Sequence, residues 1–181
     1  PTGISDLAIT LERQKLGDPL DLKVIVKPTR ASLSHKFFPY RIDEVQGEII
    51  FDISGKKLLL RDLIGQHGIS PINLSAGYVD LVTGDMELPI ESQRLVPDED
   101  LLAALPDDVE ARLRSLDILN GGGALETVVE LYRKDQPKIA VYVRSRVIEP
   151  LQLKYSALPY PLIFHGGQVV YSSTEERVRL D

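Results

Sequence analysis

The sequence contains no cysteine and only three histidines among its 181 residues. Without cysteine, the chain can form neither disulfide bonds nor thiolate metal sites, and it has no cysteine nucleophile. This absence does not fix the cellular compartment. The histidines, His35, His67 and His165, form neither a His-x-x-His nor a His-Glu-x-x-His pair, so no histidine-based metal site is predicted.

Positive charge and long apolar runs are also scarce. The formal net charge is −6, which argues against nucleic acid or an anionic membrane surface as the main partner. No stretch approaches 18 consecutive apolar residues, so no membrane-spanning segment is predicted within these residues. The chain starts at Pro1 without a signal-like segment. We therefore expect it to be a fragment of a longer protein that carries any targeting or membrane-anchoring element elsewhere.

Catalytic motifs are absent as well. The run His165-Gly166-Gly167 has no accompanying Gly-x-Ser-x-Gly motif, so an esterase is not predicted. The adjacent carboxylates Asp107 and Asp108 lie in a helical pattern, in which neighbours point about 100° apart and cannot flank one bond. The acidic run 97–100 lacks the glycine of a calcium loop, and glycines 121–123 follow a helix instead of opening one. The sequence predicts no enzyme, no metal and no cofactor.

Alternating apolar and polar residues dominate the sequence. Val45, Ile49, Phe51 and Ile53 alternate with Gln46, Glu48 and Asp52, which is typical of antiparallel strands with one apolar and one polar face. The spacing changes to a helical one only at about 97–116, where Val109, Leu113 and Leu116 form a stripe that should pack against a sheet. The predicted fold class is mainly β, with one helical segment.

Part of the sequence returns after 120 residues. Tyr40 matches Tyr160, Gly47 matches Gly167, Phe51 matches Tyr171, and Ile9 matches Val129. Residues 24–26 match residues 141–143 at an offset of 117, with compensating length changes in loops. Such tracking predicts a true repeat: residues 1–120 form one β-unit closed by a helix, and residues 121–181 form part of a second. Together they are expected to form one continuous structural domain.

The apolar strand faces must be covered by another sheet, a helix or a ligand. Alternation alone leaves two architectures open, namely a closed sandwich or roll and an open, taco-like sheet with a groove. The residues expected to form this core or lipid-contacting groove are Val24, Val26, Ile49, Phe51, Leu58, Leu60, Ile72 and Leu74. Phospholipid or neighbouring repeats of the same chain are the expected partners.

Several motifs within 31–82 and 151–181 resemble those of a known family. They are Phe38-Pro39-Tyr40 and Leu158-Pro159-Tyr160, a glycine before the next strand, and a paired strand with Leu60-Arg61-Asp62-Leu63 followed by glycine-punctuated strands. This pattern resembles the AsmA-like group of large bacterial envelope proteins. The resemblance implies a membrane-anchored parent chain with a β-rich periplasmic body, a role in outer-membrane biogenesis or phospholipid transport, and no catalytic residues. The helical segment at 97–116 is not general in that group.

The aromatic residues suggest an alternative from another class of function. Exposed aromatics could make the chain an extracellular adhesive or glycan-binding β-module, or the same residues could form a corner between half-sheets. These residues are Phe37, Phe38, Tyr40, Tyr155 and Tyr160.

Overall fold

A computed structural model describes residues 2–12, 21–35, 38–105, 107–135, 138–155, 158–174 and 177–180. Ten strands form one open antiparallel sheet, in the order β1-β2-β3-β4-β5-β6-β7-β8-β11-β12, and β9 pairs with β10 separately. The strands are β1 Thr2–Glu12, β2 Asp21–His35, β3 Phe38–Asp52, β4 Lys57–His67, β5 Ser70–Asp80, β6 Met86–Leu95, β7 Ala124–Arg133, β8 Ala140–Glu149, β9 Leu151–Leu153, β10 Leu162–Phe164, β11 Gln168–Ser172 and β12 Arg177–Leu180.

The predicted fold class is confirmed, and the open sheet is the architecture observed. Nearly every strand pairs antiparallel with its neighbour in sequence, and the connections β3–β4, β4–β5 and β5–β6 are short hairpins. The exception is the step from β8 to β11, between which the small β9–β10 pair is inserted. The helices lie in the connection between β6 and β7.

The prediction that Pro28 ends a strand is wrong. Strand β2 continues through Pro28 to His35, so the separate strand predicted at 31–38 is largely its second half. An extra residue in β2, Thr29, lies between the pairs Ile4–Arg30 and Ser5–Pro28. This is a β-bulge, where the ladder is already interrupted and the missing proline N–H is tolerated.

The predicted helical segment is present as two short helices and a 3₁₀ turn. These are α1 Glu99–Ala104, α2 Asp107–Ser115 and the turn Ile118–Asn120. Asp98 caps α1, since its Oδ1 accepts a hydrogen bond of 2.7 Å from the Leu101 N–H. In the predicted stripe, Leu113 packs against a buried cluster formed by Leu102, Ile118 and Leu151.

The glycine run 121–123 permits a close approach of two backbone segments. A Cβ on Gly121 would lie 1.8 Å from the Gln152 carbonyl oxygen, and one on Gly123 would lie 2.5 Å from the Pro150 carbonyl oxygen. The Gln152 N–H also donates to the Gly121 carbonyl oxygen at 3.0 Å. These glycines let the chain pass directly against β9.

The helices cover one end of the sheet. Ala104 of α1 packs with Tyr40 of β3, Ile72 of β5 and Leu95 of β6 in a buried cluster. The second cluster joins Leu102 to the sheet through half-buried residues, which are Leu125, Val147 and Leu153. The core of the molecule therefore lies between the helical segment and one end of the strands.

Backbone features recur at the spacing of the predicted repeat. A bulge interrupts the β1–β2 ladder between Ile4 and Ser5, and one interrupts the β7–β8 ladder between Ala124 and Leu125, 120 positions later. Gly47 and Gly167, also 120 positions apart, both have φ of +122°. The bulges were not among the residue matches from which the repeat was predicted, whereas Gly47 and Gly167 were, and the division into two units stays a prediction.

The register corrects one detail of the alignment between the two units. Ile9 pairs with Val24, and its match Val129 pairs with Val143. On the other side, Val24 pairs with Phe51 and Val143 pairs with Tyr171. Val24 therefore corresponds to Val143, at an offset of 119 and not 117. Strand β8 has valine at both 141 and 143. Residue types alone therefore allow Val24 to be matched to either position.

Candidate functional site: an apolar sheet face

Six of the eight predicted core or groove residues form two rows across the strands. Val24 pairs with Phe51, which pairs with Leu58. Val26 pairs with Ile49, which pairs with Leu60. Directly opposed residues in an antiparallel ladder lie on the same face, so these six side chains share one face of the sheet, which we call the apolar face.

The apolar face is open where these rows cross it. Phe51 is 36% exposed, and Ile9, which extends the first row onto β1, is 61% exposed. The other five residues of the two rows are half-buried. The helical segment packs near Tyr40, at the opposite end of β3 from Phe51. Hydrophobic side chains thus remain accessible to a ligand at this end of the sheet.

The two remaining predicted residues, Ile72 and Leu74, lie on the same face but are buried. Glu48 pairs with Arg61 and Gln46 pairs with Ile64, so β4 contains an extra residue between its two pairs. This bulge brings Leu63 to the face of Leu60, and Leu74 pairs with Leu63. Ile72 belongs to the cluster under α1. Ile72 and Leu74 are therefore core residues, and Ile72 lies under the helical cover.

The opposite face of the sheet, which we call the charged face, is crossed by rows of charged residues. Lys27 Nζ lies 2.6 Å from Glu48 Oε1, and Arg146 lies 2.5 Å from Glu126. The hydrogen bond from Lys27 holds the pKa of Glu48 below its usual range. One apolar row, Ile25–Ile50–Leu59, crosses between the charged rows. Because the ion pairs are exposed, each contributes little to stability, and they flank an apolar row in which Ile50 is only 5% exposed.

A polar junction fastens α1 to the sheet. His67 Nε2 lies 3.2 Å from Asp98 Oδ2 and 3.5 Å from Asp100 Oδ2, while its Nδ1 lies 2.5 Å from the Arg41 carbonyl oxygen. The imidazole stacks on Tyr40, with ring centroids 4.1 Å apart. Burial, reinforced by the charge of Asp98, raises the pKa of the Tyr40 phenol. No local sequence pattern indicates this junction, because the partners of His67 lie more than 25 positions away.

Asp98 should stabilise this junction chiefly as a helix cap. We expect Asp98→Ala to lower the free energy of unfolding by about 1 kcal/mol, the usual cost of losing an N-cap. Asp98→Asn retains the cap acceptor but removes the carboxylate that faces His67, and it should recover more than half of the loss. Urea denaturation followed by far-UV circular dichroism measures both variants. Equal destabilisation by alanine and asparagine would show that the charge, and not the cap, dominates.

The aromatic residues do not form one exposed surface. Tyr40 is 5% exposed beneath the helical segment, whereas Tyr160 is 60% exposed. Phe37 lies outside the described residues. Tyr40 is a core residue, so a glycan surface that uses Tyr40 together with Tyr160 is not available.

The described ranges present neither a metal-binding cluster nor a membrane-spanning helix. Among these residues, no group of three or more His, Asp or Glu side chains is placed to hold a metal ion. Within the same ranges, no helix has the length and apolar character needed to cross a membrane. The apolar face is therefore the strongest candidate site that the described residues present.

Comparison with known proteins supplies no relative. No family model, no curated protein and no solved structure matches this chain.

Proposed function

We propose that the chain is a non-enzymatic module of an AsmA-like cell-envelope protein and that its apolar face contacts the acyl chains of phospholipids. In this proposal the module lies in the periplasm, in a parent chain anchored in a membrane, and serves outer-membrane biogenesis or phospholipid transport. The observation that carries the proposal is the open, partly exposed apolar face next to a helix-covered core.

The apolar row that contains Ile9 and Phe51 is long enough to accommodate a hydrocarbon chain. One row of directly paired residues crosses six strands, from Ile9 through Val24, Phe51, Leu58 and Val79 to Met86. At about 4.8 Å between strands it extends over about 24 Å. A single acyl chain spans about half of the ~30 Å hydrocarbon core of a bilayer. One chain could therefore lie along part of this row and cover about four of its six side chains.

The chain offers a matched pair of substitutions for testing the face. Ile9 is 61% exposed on the apolar face, and Ile64 is 51% exposed on the charged face, since it pairs with Gln46. Each change to aspartate adds one charge on an exposed strand position, so both variants should fold. Only Ile9→Asp places a charge where the acyl chain would lie, and burying that charge against hydrocarbon is unfavourable.

The experiment is native mass spectrometry after incubation with phosphatidylglycerol or phosphatidylethanolamine vesicles. We expect the unmodified chain and Ile64→Asp to carry lipid, and Ile9→Asp and Phe51→Asp to carry at least several-fold less. Far-UV circular dichroism checks that each variant remains folded. Absence of lipid from the unmodified chain, or equal loss in Ile64→Asp, would contradict the proposal.

A further inference from the structure

Strand β1 forms one edge of the sheet. In the described part of the chain it pairs with β2 on one side only. The outer edge of such a strand presents a row of backbone N–H and C=O groups that can pair with another strand. Ile9, on this strand, is the most exposed large apolar side chain of the apolar face rows.

The chain contains a counterpart of β1 whose outer edge is occupied. Strand β7 matches β1 at 120 positions, and each ladder with the following strand has its bulge at the matching pair. On its other side, β7 pairs antiparallel with β6 over eight residue pairs, among them Ile90–Val129 and Glu91–Val128. At the outer edge of β7, the counterpart of β1, the structure thus places β6. We call a strand that pairs in this way a β6-type strand.

Pairing with β6 reduces the exposure of the β7 residue that corresponds to Ile9. Val129, the match of Ile9, lies opposite Ile90 and is half-buried, whereas Ile9 is exposed. A strand placed beside β1 in the β6 position would put an apolar side chain next to Ile9. It would also continue the apolar face by one strand without a break.

We propose that the outer edge of β1 binds a β6-type strand from another unit of the same kind. The strand pairs antiparallel, with its Ile90 position opposite Ile9 and its Glu91 position opposite Ala8. Backbone hydrogen bonds supply the attraction, and the alternating side chains fix the register. The occupant cannot be β6 of an intact second copy, since that strand already pairs with β5 and β7. The inference does not depend on lipid binding.

Disulfide trapping tests both the pairing and the register, because the chain has no cysteine of its own. A synthetic peptide with the sequence of residues 85–96 and the change Ile90→Cys is mixed with Ile9→Cys or Ala8→Cys protein in a thiol–disulfide buffer. A second peptide carries Glu91→Cys instead. Ile9 and Ala8 are both exposed and adjacent, so their thiols are matched in accessibility but point to opposite faces.

We expect reciprocal selectivity. The Ile90→Cys peptide should cross-link to Ile9→Cys at least five-fold faster than to Ala8→Cys, and the Glu91→Cys peptide should show the opposite preference. Hydrogen exchange of the β1 amides should slow when unmodified peptide is added at millimolar concentration. Equal rates in all four combinations, or no protection of β1, would overturn the proposal. Cross-linking of Ile9→Cys protein to itself in preference to the peptide would do so as well, because it would identify a second β1 as the occupant.

Discussion

Replacing Gly47 by alanine is expected to lower the free energy of unfolding by at least about 3 kcal/mol. Gly47 has φ of +122°, a backbone conformation that costs a side-chain-bearing residue about 1–3 kcal/mol. In addition, a Cβ at this position would lie 2.4 Å from the Asp62 carbonyl oxygen and 2.9 Å from the Arg61 carbonyl oxygen. Both atoms belong to the backbone of β4, so they can move only if the β3–β4 ladder shifts.

Gly68 separates the contribution of backbone strain from that of steric overlap with a neighbouring strand. Gly68 also has positive φ, +56°, but a Cβ there would meet nothing within 4 Å. Gly68→Ala should therefore cost only about 1 kcal/mol, the strain of the left-handed conformation. Urea denaturation monitored by far-UV circular dichroism compares the two variants. If Gly47→Ala were no more destabilising than Gly68→Ala, the close approach of β3 and β4 at this glycine would be refuted.

The sequence predicted the fold class because strand alternation and helical spacing are local signals. Alternation also explains why Val24, Val26, Ile49, Phe51, Leu58 and Leu60 share one face, since the two residues in each strand are two positions apart. The same rule fails beyond the bulges. Leu60 and Leu63 share a face although they are three positions apart, because β4 has an extra residue before Ile64.

The bulges in β3 and β4 coincide with positive φ at residues other than glycine. Glu44 has φ of +54° and Asp62 has φ of +47°. Such values are uncommon for residues with a side chain, and neither residue type marks a turn inside a strand. Gly47 lies inside β3 opposite the extra residue of β4, and a glycine within a strand is a local signal for a bulge. The spacing of the apolar residues in β4, two and then three, is a second signal.

The choice between a closed and an open sheet was beyond the sequence for a different reason. Alternation determines which side chains share a face, but it does not determine what covers that face. Leu102, Ile72 and Phe51 are all apolar. Leu102 of α1 and Ile72 of β5 are buried between the helical segment and the sheet, whereas Phe51 is exposed. The contact between His67 and Asp98 is equally nonlocal, since 31 positions separate the two residues.

Replacing Leu102 by alanine is expected to lower the free energy of unfolding by about 3 kcal/mol, within the range for truncating a fully buried leucine. Leu102 is 0% exposed and packs with Ile118 and Leu151, so the remaining cavity would weaken the attachment of the helices to the sheet. Leu81→Ala, at a 54% exposed turn position, should change it by less than about 0.5 kcal/mol. Leu102→Ala should also bind an apolar-surface dye more strongly, because loosened helices expose the covered end of the apolar face. A stability loss without increased dye binding would show that the helices remain seated on the sheet, and the covered end would then be a permanent core.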